Sequence, residues 1–471
     1  MKIEQIYTGC LAQGAYYIES NGEVAIIDPL REIKPYLDRA EKDQAKIKYV
    51  FETHFHADFV SGHLDLSQQT CAPIVYGPNA QPAFKAIIAN DGEVFQLGNV
   101  TIKVLHTPGH TLESTCYLLR DENGKDVALF SGDTLFLGDV GRPDLAQKAA
   151  SMTQEELAGM LYDSLYTKIM PLSDDIIVYP AHGAGSACGK NMMKETVDTL
   201  GNQKKMNYAL NQPSKEAFVA AVTDGLLPPP GYFGMNVAMN KTGYDSFQNV
   251  LARGLKEIQP KDAEALIEAT NAVLLDVRNA DAFSKGHVPR SINIGIKGDF
   301  APWVGAIIVD VKQPLVLITD EGQEEETVTR LARVGFDNVL GYIAGGFEAW
   351  QSAGLPTDTV NRITAETFKT KIKDSDKVVD VRKESEYAAQ HVNEAYSRPL
   401  ADINSWFAEL KNETQPFYMH CAGGYRSMIA ASILKARGIH DFYEVAGGFK
   451  AISEAGVLTS DFVCQSKIVK A

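Results

Sequence analysis

The feature that most constrains the fold of this chain is an internal repeat in its second half. The segment VLLDVRNADAFSKGHVPRSINI (273–294) resembles KVVDVRKESEYAAQHVNEAYSRPL (377–400). Each copy later carries a Gln-Pro pair and an Ala-Gly-Gly triplet at the same spacing. Two copies of about 100 residues are too few and too long to form a solenoid. The repeat therefore predicts a duplicated α/β domain.

The first half of the chain has a different pattern, in which short apolar runs alternate with turns. Several of these runs end in a histidine or an aspartate, as in YVFETH (49–54) and IIVYPAHG (176–183). Side chains at strand ends and in the loops beyond them are where sites assemble in layered α/β proteins. A segment rich in Pro, Gly and aromatic residues (226–245) then predicts a linker or docking strap.

Length, charge and cysteine usage bound the class of protein. At 471 residues the chain is too long for a single core. The net charge of −15 argues against nucleic acid or an anionic membrane as the main partner. The six cysteines are scattered and the N-terminus lacks a signal-peptide pattern, so we expect a soluble protein of the cytoplasm. The predicted organisation is a domain over 1–235, a linker over 236–257, and repeat copies over 258–357 and 360–463.

Histidines and aspartates at the predicted strand ends of the first domain form a metal-binding pattern. His54 and His56 alternate in an extended segment, so both imidazoles project to one side and can approach one ion. A single buried histidine is more often a core residue, but several at strand ends favour a metal site. Three His and a water would suit zinc and hydrolysis, whereas two His and one carboxylate would suit a non-haem Fe(II) oxygenase. The candidate residues are His54, His56, Asp58, His110, Asp133 and His182.

A reactive cysteine is predicted in the second repeat copy. The segment FYMHCAGGYRS (417–427) is an apolar strand followed by Cys421, a glycine-bearing turn and a helical run. A thiolate at a helix N-terminus is stabilised by the helix dipole and by backbone N–H groups, and Arg426 adds a positive charge. Such a loop suits a cysteine that carries an extra sulfur as an anionic persulfide. The loop residues predicted to surround that sulfur are Ala422, Gly423, Gly424, Tyr425 and Ser427.

The first repeat copy lacks this cysteine. Alignment on the shared anchors places Thr319 opposite Cys421 and Glu324 opposite Arg426. The loop between them, DEGQEEE, is strongly acidic and would repel an anionic persulfide. We therefore expect the first copy to serve in packing, spacing or dimerisation without catalysis.

In their order along residues 1–235, the motifs THFHAD, TPGHT, SGDTLF and PAHG resemble the metallo-β-lactamase fold. The resemblance implies an αββα sandwich, in which two stacked β-sheets are flanked by helices. Hydrolases of this fold hold two metals with an HxHxDH motif, but here Phe59 replaces the last histidine. We therefore expect one metal per chain.

The single-metal branch that the chain looks like is the persulfide dioxygenases, which are relatives of the glyoxalase II hydrolases. That resemblance implies that His54, His110 and Asp133 hold one Fe(II). It also implies an outer set of residues that orient ligands and bound water without contacting the metal. This outer set consists of His56, Asp58 and His182.

Two further residues are predicted on the substrate side of the metal. Arg142 follows Asp133 by nine residues in a GR-x-D segment, as in the persulfide dioxygenases, and its guanidinium could clamp a carboxylate or phosphate of the substrate. The alternative for Arg142 is a salt bridge to Asp144 or Asp139. Cys188 is either a persulfide-bearing or redox-sensitive thiol, or a small buried hydrophobe.

The loop around Cys421, a cysteine followed by four residues and an arginine, resembles the active site of the rhodaneses. The DVR and AGGF motifs agree with that family over about the whole second copy. The resemblance implies two α/β rhodanese-like domains, of which the second is an active sulfurtransferase.

These observations predict an enzyme with two coupled sulfur reactions, in sulfide detoxification. The first domain would oxidise a low-molecular-weight thiol persulfide with O₂ to sulfite and thiol, and Cys421 would make or use thiosulfate. We expect a homo-oligomer without nucleic-acid or membrane partners. One alternative is a zinc-dependent, glyoxalase II-like thioester hydrolase fused to a sulfurtransferase. Another is a sulfur carrier or sensor without catalytic activity, in which the metal is structural.

Overall fold

The structure is a computed structural model of the chain and describes residues 1–147, 151–226, 228–373, 375–413 and 415–463. The chain divides into two compact units. The first comprises Met1–Asn249 with the short segments Val309–Val311 and Leu331–Phe336. The second holds the other described residues.

The first unit is built on a pair of β-sheets. One sheet has the strand order β1-β2-β3-β4-β5-β6 and the other has the order β12-β11-β10-β9-β8-β7. The strands of the first sheet are β1 (Lys2–Thr8), β2 (Gln13–Ser20), β3 (Glu23–Ile27), β4 (Lys46–Phe51), β5 (Ile74–Tyr76) and β6 (Ile87–Ile88). Those of the second are β7 (Val94–Leu97), β8 (Val100–His106), β9 (Thr115–Arg120), β10 (Asp126–Gly132), β11 (Ile177–Pro180) and β12 (Asp198–Thr199).

The core of this unit lies between the two sheets. Inward-facing side chains from both sheets meet there, because successive residues of a strand point to opposite faces. Ile27 and Phe51 of the first sheet share one buried cluster with Ile102 and Phe130 of the second. The catalytic-looking motifs all follow strands of this sandwich, so the packed core fixes the positions at which their loops begin.

Helices cover the outer faces of the sandwich. Tyr36 of α1 (Lys34–Lys42) and Leu66 of α2 (His63–Thr70) pack on the first sheet, and Leu161 of α3 (Gln154–Ser164) packs on the second. This layering confirms the expected αββα sandwich. Further helical segments are a π-helical turn (Leu165–Ile169), α4 (Leu200–Met206) and α5 (Lys215–Thr223).

The segment predicted as a linker is helical. It forms α6 (Phe233–Thr242) and α7 (Phe247–Gly254), and the side chains of Phe233, Asn236 and Asn240 are buried. The prediction that 226–245 is a linker or docking strap and not a packed element is therefore wrong at α6, because the Pro and Gly residues precede a helix with both apolar and polar side chains buried.

The second unit contains the two repeat copies, and both form parallel sheets with the same topology. The strand order is β13-β17-β16-β14-β15 in the first copy and β18-β22-β21-β19-β20 in the second. The first copy contains β13 (Glu257–Ile258), β14 (Val273–Asp276), β15 (Ile292–Asn293), β16 (Leu315–Ile318) and β17 (Val339–Ile343). The second contains β18 (Arg362–Ile363), β19 (Val378–Asp380), β20 (Tyr396–Ser397), β21 (Phe417–His420) and β22 (Phe442–Val445).

Helices alternate with these strands, as parallel β-α-β crossovers require. In the first copy they are α8 (Pro260–Thr270), α9 (Ala280–Lys285), α10 (Phe300–Ile307), α11 (Glu324–Arg333) and α12 (Gly346–Ser352). In the second copy they are α13 (Ala365–Lys371), α14 (Glu384–Ala389), α15 (Ile403–Trp406), α16 (Tyr425–Ala436) and α17 (Gly448–Glu454), with 3₁₀ turns at Leu400–Asp402 and Phe407–Asn412. Within the described ranges, no helix is long and apolar enough to cross a bilayer.

The repeated DVR motif has a structural explanation in both copies. Arg278 donates to both carboxylate oxygens of Asp276, and Arg382 does the same with Asp380. Each guanidinium also donates to a backbone carbonyl eight residues further along, at the end of the next helix. The motif thus ties a strand end to a helix end, which is why both copies retain it.

Candidate functional site

The first candidate site is a buried cluster of two histidines and a carboxylate. One ligand atom from each of His54, His110 and Asp133 lies within 4.8 Å of the others, and all three side chains are buried. Asp133 Oδ2 is 3.4 Å from His110 Nε2 and 3.8 Å from His54 Nε2. Neither carboxylate oxygen of Asp133 has a hydrogen-bond partner among the described residues. Buried polar atoms are rarely left in that state, so this donor set fits a divalent metal ion.

Neighbouring groups hold the two histidines of this cluster with Nε2 directed at Asp133. His110 Nδ1 donates to the backbone carbonyl of Arg142 at 2.8 Å. The hydroxyl of Thr53 donates to Asp28 Oδ2 at 2.8 Å and so accepts from His54 Nδ1 at 3.0 Å. A hydrogen bond at one ring nitrogen sets the tautomer and leaves the other nitrogen for the metal.

The electrostatics of His54 also suit a metal ligand. Burial, together with the neighbouring histidine rings, lowers the pKa of His54 well below its ordinary value. The ring is therefore neutral at physiological pH, which is the form that binds metals. Close packing adds a geometric constraint, because a Cβ on Gly141 would lie 2.0 Å from the Asp133 carbonyl oxygen. The GR segment can pass Asp133 only with glycine at this position.

His56 lies beside His54, with ring centroids 4.2 Å apart, and one of its ring nitrogens lies within 4.8 Å of ligand atoms of Asp58 and His182. Its Nε2 lies 3.1 Å from Asp28 and 3.4 Å from Glu52, and all of these side chains are buried. Burial opposes a charge on the ring, but the two carboxylates outweigh it and raise the pKa of His56 well above its ordinary value. His56 therefore interacts as a cation with two anions through Nε2.

Phe59 fills the position where a second metal's histidine stands in the two-metal hydrolases. The ring is fully buried and packs against His56, with centroids 4.3 Å apart and the ring planes tilted by 32°. A phenyl ring offers no ligand atom, so this side of the site is lined by carbon atoms that cannot bind a metal.

The remaining polar groups next to Asp133 form a second cluster. His182 Nε2 lies 3.4 Å from Asp58 and 3.6 Å from Asp133. Cys188 is buried, and its sulfur lies within 4.8 Å of ligand atoms of Asp133 and His182. Burial and the carboxylates of Asp58 and Asp133 raise the pKa of the Cys188 thiol well above its ordinary value. The thiol is therefore protonated unless a cation approaches it.

Arg142 makes the ion pair that the sequence left as an alternative. Its Nε and one terminal nitrogen each donate to Asp144 at 2.7 Å, and the other terminal nitrogen donates to the carbonyl of Ala187 at 3.2 Å. The backbone carbonyl of Arg142 already serves the site by holding His110.

Two residues that reach this site were missed by the sequence reasoning because they lie in the predicted linker. The side-chain amide of Asn240 donates to the carbonyls of His56 and Phe59 at 2.8 Å each and accepts from Ser61 N–H at 2.9 Å. Tyr232 is buried, and burial together with Asp58 and Cys188 raises the pKa of its hydroxyl well above the ordinary value. No motif marks either residue, and the buried side chains of α6 include the polar Asn236 and Asn240, which an apolar pattern does not reveal.

The second candidate site surrounds Cys421, which follows β21. The sulfur accepts from Gly424 N–H at 3.1 Å, and the hydroxyl of Ser427 lies 3.4 Å away. Gly424 has a φ of +100°, so the loop can turn its N–H toward the sulfur directly before α16. A helix of twelve residues thus begins at the cysteine loop and directs its dipole at the sulfur.

Arg426 pairs with an acidic residue that the sequence reasoning did not identify. Its guanidinium donates to both oxygens of Glu386 at 2.5 and 2.9 Å. Burial would raise the pKa of Glu386, but Arg426 outweighs it and lowers that pKa below its ordinary value. The arginine is therefore fixed at the edge of the cysteine loop.

A cavity of about 690 Å³ opens above Cys421. Ala422, Gly423, Tyr425 and Arg426 of the predicted loop line it. The cysteine-less first copy also contributes to the wall, and the hydroxyl of Tyr425 donates to the carbonyl of its Gly295 at 2.7 Å. The lining residues from that copy are Lys297, Gly298, Asp299 and Trp303.

The corresponding pocket of the first copy has a different character. Thr319 occupies the cysteine position, and its hydroxyl donates to Glu324 at 3.1 Å. Asp320 and Glu321 also line this pocket. Thr319 offers no sulfur nucleophile, and the carboxylates disfavour anions.

Comparison with known proteins agrees with this division of the chain. Residues 8–182 match the metallo-beta-lactamase superfamily, and residues 259–353 and 364–455 each match the rhodanese-like domain. The fold and the two sites therefore define a metal-binding enzyme fused to rhodanese domains.

Individual relatives define the family further. The chain is 33% identical over 187 residues to the cytoplasmic hydroxyacylglutathione hydrolase of Arabidopsis thaliana, covering 39% of this chain and 67% of that protein. It is 30% identical over 167 residues to a Schizosaccharomyces pombe protein named a probable hydroxyacylglutathione hydrolase, covering 35% of this chain but only 60% of that protein. A crystal structure of a metallo-beta-lactamase from Staphylococcus aureus is 30% identical with a TM-score of 0.64, covering 73% of this chain and 98% of that one. The chain belongs to the metallo-β-lactamase superfamily and carries two rhodanese-like domains.

Proposed function

We propose that the first unit is a non-haem Fe(II) persulfide dioxygenase and that Cys421 is the nucleophile of a coupled sulfurtransferase. The observation that carries the first half is the pair formed by Phe59 and His56. The phenyl ring removes one ligand of a second metal, and Asp28 and Glu52 engage the imidazole elsewhere. His54, His110 and Asp133 supply two histidines and one carboxylate, the ligand set of non-haem iron oxygenases.

The proposed overall reaction is R–S–SH + O₂ + H₂O → R–SH + SO₃²⁻ + 2 H⁺. Fe(II), when bound, supplies the redox chemistry that activates O₂. Thr53 and the Arg142 carbonyl keep the imidazoles of His54 and His110 in the ligating tautomer.

The proposed reaction of the second unit balances without a further reactant. The Cys421 thiolate attacks the outer sulfur of thiosulfate, the S–S bond of thiosulfate breaks, and sulfite leaves as Cys421 becomes a persulfide. The reverse reaction forms thiosulfate from that persulfide and sulfite. The Gly424 N–H and the α16 dipole stabilise the anionic sulfur in either direction. Both units would then act on sulfane sulfur, consistent with a role in sulfide detoxification.

A zinc-dependent thioester hydrolase remains the second candidate, and two observations favour it. The Arabidopsis relative is named a hydroxyacylglutathione hydrolase. In addition, the cluster of Asp133, His182 and Cys188 offers a second set of ligand atoms within 4.8 Å of one another. A metal bound there would restore a two-metal arrangement through a different ligand than the one Phe59 replaces.

The two candidates give opposite results in one activity comparison. The full chain reconstituted with Fe(II) is given either glutathione persulfide or a glutathione thioester, and O₂ uptake, sulfite and free thiol are measured. We expect O₂ uptake and sulfite with the persulfide and no hydrolysis of the thioester. The His110→Ala variant should lose both metal and O₂ uptake. Thioester hydrolysis without O₂ uptake would overturn the proposal in favour of the hydrolase.

A further inference from the structure

A chain of hydrogen bonds leads from Cys421 into the core of the second copy. The hydroxyl of Ser427 lies 3.4 Å from the cysteine sulfur and 2.6 Å from Oε1 of Glu444. Oε2 of Glu444 in turn accepts from Nε of Arg362 at 2.6 Å. Glu444 has no exposed surface and lies on β22, outside every motif of the cysteine loop. A buried carboxyl is therefore separated from the reactive sulfur by a single hydroxyl.

The first copy, which lacks the cysteine, has different residues at the positions that form this chain of hydrogen bonds. The strand pairing sets Arg362 beside Glu444 in the second copy and Glu257 beside Tyr342 at the same place in the first. The position of Ser427 corresponds to Glu325 in the alignment on the shared anchors. All of the connected side chains thus differ where the cysteine is missing.

The scaffold, in contrast, is the same in both copies. The Asp-Arg pair of the DVR motif has the same bidentate geometry in each. An aromatic ring stacks on the following histidine in each copy, with centroids 4.0 Å apart for Phe283 and His287 and 3.9 Å for Tyr387 and His391. The fold therefore does not require the Ser427–Glu444 connection. The connection is found in the copy that carries the reactive cysteine.

The hydroxyl of Ser427 can bridge Cys421 and Glu444 in either of two protonation states of this pair. When Glu444 is ionised, the hydroxyl donates to Oε1 and can accept from the Cys421 S–H. When Glu444 is protonated, it donates to Ser427, whose hydroxyl then donates to the thiolate. The two states differ only in the location of one proton. Burial raises the pKa of Glu444 above its ordinary value, against the opposing effect of Arg362 and Ser427, so protonation of this carboxyl near neutral pH costs less than for an exposed one.

We propose that Glu444 is a positioning residue that takes up the proton of the Cys421 thiol through Ser427. The S–H bond breaks as the hydroxyl accepts that proton and passes its own to Oε1, so thiol and carboxylate become thiolate and carboxylic acid. No other reactant is needed. The thiolate is then ready to attack sulfane sulfur, and the process reverses when the sulfur leaves. This proposal rests on the sulfurtransferase half of the proposed function.

Charged groups on all sides set the electrostatics of this relay. Arg362, on β18, pairs with Glu444 and also with Asp281 of the first copy. Across the loop, Arg426 is paired with Glu386. The cavity adds further charges on its wall, namely Lys297, Asp299 and Lys383. When Glu444 is replaced, Arg362 retains its ion pair with Asp281 and Arg426 retains its pair with Glu386, so loss of the proton acceptor should affect the sulfur directly.

The test uses Glu444→Gln in the full chain, which keeps the size of the side chain and one oxygen that can accept from Arg362 but cannot take up a proton. The rate of iodoacetamide alkylation is followed across pH by mass spectrometry of the peptide that contains Cys421. We expect the pH of half-maximal reactivity to rise by about one unit and the rate at pH 7 to fall about tenfold. Tyr342→Phe, at the matching position of the first copy, should leave the profile unchanged.

A second variant keeps the test valid if the glutamine protein does not fold. Ser427→Ala interrupts the relay while leaving the pair of Glu444 and Arg362 intact, and it should shift the profile by a similar amount. The double variant should be no worse than either single one, because both break the same path. An unshifted profile in Glu444→Gln, or additive shifts in the double variant, would overturn the proposal. Alkylation needs no sulfur donor, so this result is independent of whether the chain is a sulfurtransferase.

Discussion

Asn240 gives the sharpest prediction about how the metal loop is held. Its buried amide makes three hydrogen bonds to the backbone of the loop that carries the ligands, with the carbonyls of His56 and Phe59 and the N–H of Ser61. Asn240→Ala would leave these three backbone groups buried without partners. At about 1 kcal/mol for each lost bond, the first unit should lose about 3 kcal/mol of its free energy of unfolding.

The loss should also appear in metal retention, because groups that orient ligands typically contribute 10- to 100-fold to metal affinity. We expect metal release to a chelator to accelerate by roughly tenfold or more in Asn240→Ala. Hydrogen exchange of the peptide over residues 54–61 reports the loop locally, so unfolding of the second unit does not obscure the result.

Asn236 provides the matched control for this experiment. It lies one turn earlier on the same helix and is equally buried, but its side chain makes no hydrogen bond within the described ranges. Asn236→Ala should therefore leave chelator release unchanged. If Asn240→Ala releases metal at the wild-type rate, or if both variants accelerate release equally, then Asn240 does not hold the loop over residues 54–61 in place for the metal.

Three further predictions concern single side chains. Thr53→Val removes the hydroxyl between Asp28 and His54 and should weaken metal binding 10- to 100-fold. Competition with a chromogenic chelator measures this affinity. An unchanged affinity would show that the hydroxyl does not orient His54. Cys421→Ser should abolish thiosulfate:cyanide sulfurtransfer but leave O₂ uptake with a persulfide unchanged, and a variant that retains sulfurtransfer would remove Cys421 from the mechanism. Lys297→Ala removes a cation from the cavity above Cys421 and should raise the KM for thiosulfate about threefold with little change in kcat. The control Lys285→Ala, at an exposed lysine, should change neither constant. Equal effects of the two variants would refute a role for the cavity cation.

Much of the architecture could be predicted because its signals are local. The strand-end motifs placed His54, His110 and Asp133 at the edge of the sandwich, and the structure brings their ligand atoms together. The repeat predicted two domains of one topology, as observed. The helical pattern over 152–169 corresponds to α3 and the π-helical turn after it.

Other parts of the site depend on contacts between distant segments, which a single sequence does not reveal. Asn240 lies about 180 residues from the loop that it holds, within a segment whose Pro and Gly content suggested a linker. The guanidinium of Arg142 has a nearby carboxylate on Asp144, and only the geometry shows that this pair forms. Glu386 belongs to a helix far from Cys421 in the chain, so its pairing with Arg426 had no sequence signal.

The central claim is that Phe59 and the engagement of His56 leave a site for one iron ion. Metal-free chain is titrated anaerobically with Fe(II), and O₂ uptake with a persulfide is measured at each addition. We predict that the activity saturates at one equivalent of iron per chain, with one sulfite formed for each O₂ consumed. Saturation at two equivalents, or activation by Zn(II) for thioester hydrolysis instead, would contradict the account.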